Sequence, residues 1–161
     1  MDCRSEPIDY IERTKTLYTS LNYPAYEWVK EGATALSKLT KPVSQCKAGL
    51  ICSGGIYKKG QIAFHYKDDF SYRIIDTETE PEDLRITHFA YDLEDAREDA
   101  NVVFPVGTLK ELVSGDFLGE LAHDAYSFMG GIYSSKRVRE VLAPALADQM
   151  QKNQVDLAVL V

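Results

Sequence analysis

The chain is poor in cysteine and histidine: Cys3, Cys46 and Cys52, with His65, His88 and His123, are all that 161 residues contain. An odd number of cysteines with no Cys-x-x-Cys pair fits reduced cytosolic thiols better than a disulfide framework. No histidine has a second ligand type at zinc-site spacing, so no metal is expected. Apolar runs long enough for a membrane helix, roughly 20 residues, are missing. The opening Met1-Asp2-Cys3-Arg4-Ser5-Glu6-Pro7 lacks the apolar core of a secretory signal, so a cytoplasmic protein with no membrane partner is expected. Basic residues are scarce as well. The 18 lysines and arginines against 25 acidic residues leave a net charge of −7. That balance disfavours nucleic acid as a partner, because such affinity comes from cations replacing phosphate counterions. Repeats and low-complexity tracts are absent too.

What is present fits a globular protein: 45% hydrophobic and 27% charged residues. The length suits one domain that buries roughly 70% of its unfolded surface. We expect a single α/β domain over residues 1–161, with residues 1–45 as a helical segment packing on it. A helix over about 6–21 is predicted, capped by Ser5, with Pro7 in its first turn and Ile8, Ile11, Leu17, Tyr18 and Leu21 as apolar contacts. Tyr23, Pro24, Tyr26 and Trp28 then supply packing area.

The run 47–52 (KAGLIC) reads as a buried central strand, and Ser53-Gly54-Gly55 as the turn that ends it, where backbone can approach a ligand closely. A left-handed backbone at Gly54 would make Gly54→Val damaging. Residues between Tyr57 and Asp76 read as a polar, aromatic loop long enough to suspect a function. A second strand is predicted over 84–90, then a short acidic helix capped by Asp92 and ending near Asp99. Thr108-Leu109-Lys110-Glu111 matches a capping box opening a helix that stops at Gly115. Residues 123–131 read as a loop. Val138, Val141, Leu142, Ala145, Leu146 and Met150 form one helical stripe over 135–151, kinked by Pro144. The run 155–161 (VDLAVLV) reads as a buried parallel strand. Together these elements imply an α/β, three-layer, mainly parallel, Rossmann-like sheet, truncated at its C-terminal strand.

Motifs for chemistry are sparse. Ser53-Gly54-Gly55 could cradle an anion, but it lacks both the Gly-x-Gly-x-x-Gly and P-loop patterns, so a plain tight turn is the better reading. Cys52 reads as a small buried hydrophobe rather than an activated thiolate. His88 reads as a core histidine rather than a proton carrier. His123, Asp124 and Ser127 are near in sequence only, which does not make a triad, and no nucleophile elbow is present.

Several segments together are more specific: Ala48 to Tyr57 (AGLICSGGIY), Ser71-Tyr72-Arg73, Asp83 to Asp92 (DLRITHFAYD), Asn101 to Pro105 (NVVFP) and Tyr126 to Gly130 (YSFMG). Tyr10-Ile11-Glu12-Arg13 and Leu21-Asn22-Tyr23-Pro24 add to them. In this order they resemble the glycine/sarcosine/betaine/D-proline reductase selenoprotein B family over nearly the whole chain. The resemblance implies a reductase subunit that cleaves a C–N bond in a small amino-acid-like substrate, with a dithiol as electron donor and partner subunits. It also implies a selenocysteine or cysteine nucleophile a few residues beyond Val161. No cofactor and no catalytic nucleophile is therefore expected among the residues present. Candidates for lining the substrate site are Ser53, Gly54, Gly55, Arg73, His88, Asp92, Tyr126, Ser127 and Met129. Arg73 is the candidate for pairing with a substrate carboxylate. The alternatives are a non-catalytic binding or assembly module and a nucleotide-binding domain built on Ser53-Gly54-Gly55.

Overall fold

The computed structural model describes residues 9–25, 27, 29–30, 32 and 37–161. The chain divides into two compact units, residues 1–36 and 37–161.

In the first unit, helix α1 (Tyr10–Ser20) is capped by Asp9, whose side chain accepts from the Glu12 amide at 3.1 Å. The described helix thus starts at Tyr10, with Asp9 as its cap. Ser5, Pro7, Ile8, Tyr26 and Trp28 lie outside the described residues. Ile11, Leu17 and Leu21 are exposed rather than packed, and Tyr23 meets Tyr18 ring to ring at 6.2 Å.

The second unit is mixed α/β, built on a mostly parallel sheet. Its axis is β1 (Lys47–Cys52), matching the predicted strand. Strands β5 (Glu120–Leu121), β6 (Asp124–Phe128) and β7 (Leu157–Leu160) all pair with β1 in parallel. Ala48 pairs with Leu121 and Leu157, and Ile51 with Tyr126 and Leu160. It follows that β5 and β6 share one edge of β1 and β7 takes the other. Strand β3 (Tyr72–Asp76) closes the far side, antiparallel to β6.

Alternation decides which side chains go to which face. Ala48, Leu50 and Cys52 join Ile75, Phe104, Leu109, Leu118 and Ala125 in one cluster. Ile51, Tyr126, Phe128 and Tyr72 meet Leu142, Leu146 and Met150 in the other. Helix α3 (Val106–Ser114) thus covers one face through Leu109, and α5 (Ala143–Lys152) the other through Leu146 and Met150.

Four local expectations need correction. The region 57–76 is not one loop: Ile56–Lys58 forms β2, and Tyr72–Asp76, the alternating run YRIID, forms β3. The strand predicted over 84–90 shrinks to β4 (Leu84–Ile86), which pairs antiparallel with β2 in a separate two-stranded sheet. Residues 123–131 hold β6 rather than a loop; Ala125, Tyr126 and Ser127 are fully buried, so tertiary burial overrides their polar appearance. The capping box at Thr108 is not used, since α3 already starts at Val106. Asn101 does the capping from outside, accepting from the Gly107 amide at 2.8 Å.

The helical stripe over 135–151 is broken as Pro144 requires. Helix α4 (Ser135–Arg137) runs into a π-helical stretch (Val138–Leu142), and Pro144 then sits in the first turn of α5. The wider turn spares the proline ring a clash with the carbonyl four residues earlier. The last run forms a parallel strand as expected, but a half-exposed one: among the described residues β7 pairs only with β1, and Leu160 is 74% exposed. Asp156 anchors its start, accepting from the Lys47 amide at 2.8 Å and pairing with Lys41 at 2.7 Å.

Candidate functional site

Parallel strands β1, β6 and β7 point the same way, so their carboxyl ends meet at one edge, the usual place for a site in an open α/β sheet. A cavity of about 330 Å³ lies there, lined by Ser53, Gly54, His88, Ala90, Tyr91, Val103, Gly130, Gly131 and Val161. Ser53 holds β7 in place: its amide donates to the Val161 carbonyl at 2.7 Å and its hydroxyl reaches the same oxygen at 3.1 Å.

Two double glycines, each following a parallel strand, let three backbone segments converge. Gly54 bridges Met129, and the Gly130 amide donates to the Ser53 carbonyl at 3.0 Å. The left-handed residue of the first pair is Gly55 (φ +70), not Gly54, and a Cβ on Gly55 would lie 2.0 Å from the Thr87 carbonyl oxygen. A Cβ on Gly131 would strike the Phe89 ring at 2.1 Å. Residues 87–91 are thereby drawn over the cavity, with the Tyr91 hydroxyl donating to the Gly54 carbonyl at 2.8 Å.

The anion-cradle reading of Ser53-Gly54-Gly55 is excluded by its hydrogen bonds. The Ser53 amide is committed to Val161, the Gly54 amide to Cys52 Sγ at 3.1 Å, and the Gly55 amide to the Phe128 carbonyl at 3.0 Å. Cys52 is the small buried side chain the sequence implied, fully enclosed, its thiol donating to the Val103 carbonyl at 2.6 Å. Burial pushes that thiol up to about 11, so it is no thiolate at neutral pH.

His88 lies two residues beyond β4, not within a strand. Its Nδ1 accepts from the Ala90 amide at 3.0 Å, and its ring stacks on Phe89 and leans on Tyr91, centroids 5.6 and 4.6 Å away. Burial pushes its pKa below the ordinary histidine value.

Of the residues expected to line a site, Ser53, Gly54 and His88 come together in this cavity, and Gly55, outside the lining, is hydrogen-bonded to Phe128 and Thr87. The others do not line it. The Arg73 guanidinium donates to the Ile62 and Tyr72 carbonyls and to Ser71 Oγ and lies 4.3 Å over the Phe64 ring, so it staples the 61–71 loop to β3. The Asp92 carboxylate accepts from the Glu94 amide at 3.0 Å, at the start of helix α2 (Glu94–Glu98). Tyr126 is buried under α5, its hydroxyl accepting from Asn153 at 2.7 Å; Ser127 Oγ accepts from the Ile56 amide at 2.9 Å; Met129 is fully buried. Tyr91, Gly130 and Gly131 were not expected in the lining, because the strand that the second glycine pair follows, β6, reads as loop from the sequence alone.

A second cavity, of about 220 Å³, lies where β3 ends beside the start of β6, between residues 76–81 and 98–110. It is at the amino ends of the parallel strands, and its one lysine, Lys110, is paired with Glu78 at 2.9 Å.

No described helix is long and apolar enough to cross a membrane. No solved structure matches the chain. The D-proline reductase subunit gamma of Acetoanaerobium sticklandii is 30% identical over 122 residues, which are 76% of this chain and 50% of that protein. The chain therefore spans about half the length of the curated relative it matches. Residues 13–161 match the family described as glycine/sarcosine/betaine reductase selenoprotein B, a span that takes in the second unit and every segment around the cavity, and the chain belongs to that family.

Proposed function

We propose that this chain is part of a reductase subunit whose substrate chemistry takes place at the carboxyl-end cavity of its parallel sheet. The reaction class is reductive cleavage of a C–N bond in a small amino-acid-like molecule. The bond is replaced by a C–H and an N–H, and a dithiol gives up two electrons and two protons to become a disulfide. A selenocysteine or cysteine carried on a segment following β7 would supply the nucleophile. The observation that carries this reading is the position of Val161: the carboxyl end of β7 forms one wall of the cavity, so a segment continuing from it would start inside the site.

Ser53, Gly54 and His88 are the proposed substrate-lining residues in this chain. The same reading takes the fold as Rossmann-like, the protein as cytoplasmic and the subunit as one of several, in keeping with the relative's name as a subunit. A nucleotide site is disfavoured by the committed amides of the Ser53-Gly54-Gly55 turn and by the lack of any lysine or arginine among the described lining residues.

Two experiments test it. Reading the frame beyond codon 161 should reveal an in-frame selenocysteine or cysteine codon. A complex purified through this subunit should turn over one of glycine, sarcosine, betaine or D-proline with a dithiol. No turnover of any of the four by a complex that holds such a residue would overturn the reading.

A further inference from the structure

Residues 88–91 form a strap over the cavity at the carboxyl ends of β1 and β6, and supply one of its walls through His88, Ala90 and Tyr91. The chain is held on either side of the strap. Before it, the Thr87 amide donates to the Gly55 carbonyl at 3.0 Å; after it, helix α2 is pinned by the buried Ala96. From His88 to Asp92 the backbone makes no hydrogen bond to the sheet among the described residues, and the Ala90 amide turns back to His88 Nδ1 inside the strap itself. Two contacts close it. The Tyr91 hydroxyl donates to the Gly54 carbonyl at 2.8 Å, and the half-exposed Phe89 ring lies against Gly131, where a Cβ would meet it at 2.1 Å.

We propose that residues 88–91 are a gate to this cavity and that the Tyr91 hydroxyl is its latch. When the bond to Gly54 breaks, the strap turns on its Thr87 anchor, carries Phe89 off Gly131 and opens the cavity beside Gly130 and Gly131. The inference takes from the functional reading only that this cavity is the working site, and it concerns access rather than chemistry. Little resists the motion, because a segment with few backbone hydrogen bonds and half-exposed contacts opens locally while the rest of the fold stays intact. The opposite rim is fixed: the Gly130 amide is bonded to the Ser53 carbonyl at 3.0 Å, and Gly54 bridges Met129. His88 travels with the strap, since its ring stacks on Phe89 and leans on Tyr91. The latch requires a phenol that keeps its proton, and burial, which raises the Tyr91 pKa, ensures that. One neutral hydrogen bond of ordinary net strength changes the open fraction about fivefold, enough to gate and weak enough to release.

The test uses the ¹⁵N-labelled chain and a neutral, water-soluble nitroxide, which broadens the signals of nuclei it can approach. Y91F removes the hydroxyl and keeps the ring. The nitroxide should broaden the Gly130 and Gly131 amides at least about twofold more in Y91F than in the parent, with Leu50 and Ile51 of β1 unchanged. Overhauser contacts between the Phe89 ring and the Gly131 α protons should weaken in the same variant. In the parent, relaxation dispersion should show one microsecond-to-millisecond exchange process shared by Phe89, Tyr91 and Gly131 and absent from β1, a readout that decides the matter if Y91F does not fold. Equal broadening in Y91F and the parent, a rise that spreads equally to β1, or no shared exchange process in the parent would overturn the gate. Opening in Y91F by a complex that turns over none of glycine, sarcosine, betaine or D-proline leaves the gate and removes the functional reading. Turnover by a complex whose Y91F form does not open does the reverse.

Discussion

Ser53 and Val161 are joined twice, through the Ser53 amide at 2.7 Å and its hydroxyl at 3.1 Å, both to the Val161 carbonyl oxygen. This pair fastens the carboxyl end of β7 to the turn that ends β1. It converts two neighbouring strands into one wall of the cavity.

The turn depends on Gly55. Its backbone is left-handed (φ +70), and a Cβ would stand 2.0 Å from the Thr87 carbonyl oxygen, which is backbone and cannot swing away. Gly55→Ala should cost about 2–3 kcal/mol or more in urea denaturation. Gly54→Ala should cost about 1 kcal/mol, because its neighbours, Val103 Cβ at 3.0 Å and Cys52 Sγ at 3.1 Å, need give way by only a few tenths of an ångström. Equal losses at the two positions would contradict this placement of the turn.

Asp68 is a latch between the 61–71 loop and the segment leading away from the cavity. Its carboxylate accepts from the amides of Tyr133 and Ser134 at 2.8 and 3.1 Å and pairs with Arg137 at 3.3 Å. Asp68 also sits at φ 54, where aspartate and asparagine are tolerated best. Asp68→Ala should lose about 1–2 kcal/mol and speed exchange of the Tyr133 and Ser134 amides. Asp68→Asn should lose less, since it keeps an acceptor oxygen and the same backbone preference.

Asp156 ties folding to pH. Its bond to Lys41, with a further one from the Lys47 amide, holds its carboxyl below the usual aspartate range. A depressed native pKa gives stability that is present above the unfolded value, about 3.9, and lost as pH falls through the native one. Urea midpoints measured from pH 6 down to pH 2 should therefore drop less steeply in Asp156→Asn than in the parent. An unchanged acid slope would show that the bond contributes nothing to the linkage.

Cys52 should resist Ellman's reagent at pH 8 in the folded protein and react once unfolded, because its thiol is enclosed and pushed up to about 11. Cys52→Ala should cost about 1–2 kcal/mol, since it leaves a small void and deprives the Gly54 amide of its acceptor. Fast modification of Cys52 in the native state would mean that the β1 terminus is open.

Much of this was legible in the residues. The apolar run 47–52 gave β1, and the stripe from Val138 to Met150 gave the helices on one face through Leu142, Leu146 and Met150, although Val141 is exposed. Strand β3 and strand β6 were hidden, since YRIID and DAYSF mix polar and aromatic residues whose burial is set by neighbours distant in sequence. Arg73 shows the same limit at the site: its fork suits a carboxylate, but the nearby Ile62 and Tyr72 carbonyls take it first. Ser53 was named from its place after a predicted strand and His88 from within one predicted over 84–90 that ends at Ile86, and the second glycine pair, which shapes the other rim, became meaningful only once β6 was seen to precede it.

The most direct measurement is NMR of Val161. Its amide donates to the Ile51 carbonyl at 3.0 Å, so it should exchange slowly, and its protons should show Overhauser contacts to those of Ser53. A freely exchanging Val161 amide with no contact to Ser53 would contradict the claim that β7 ends in the wall of the cavity.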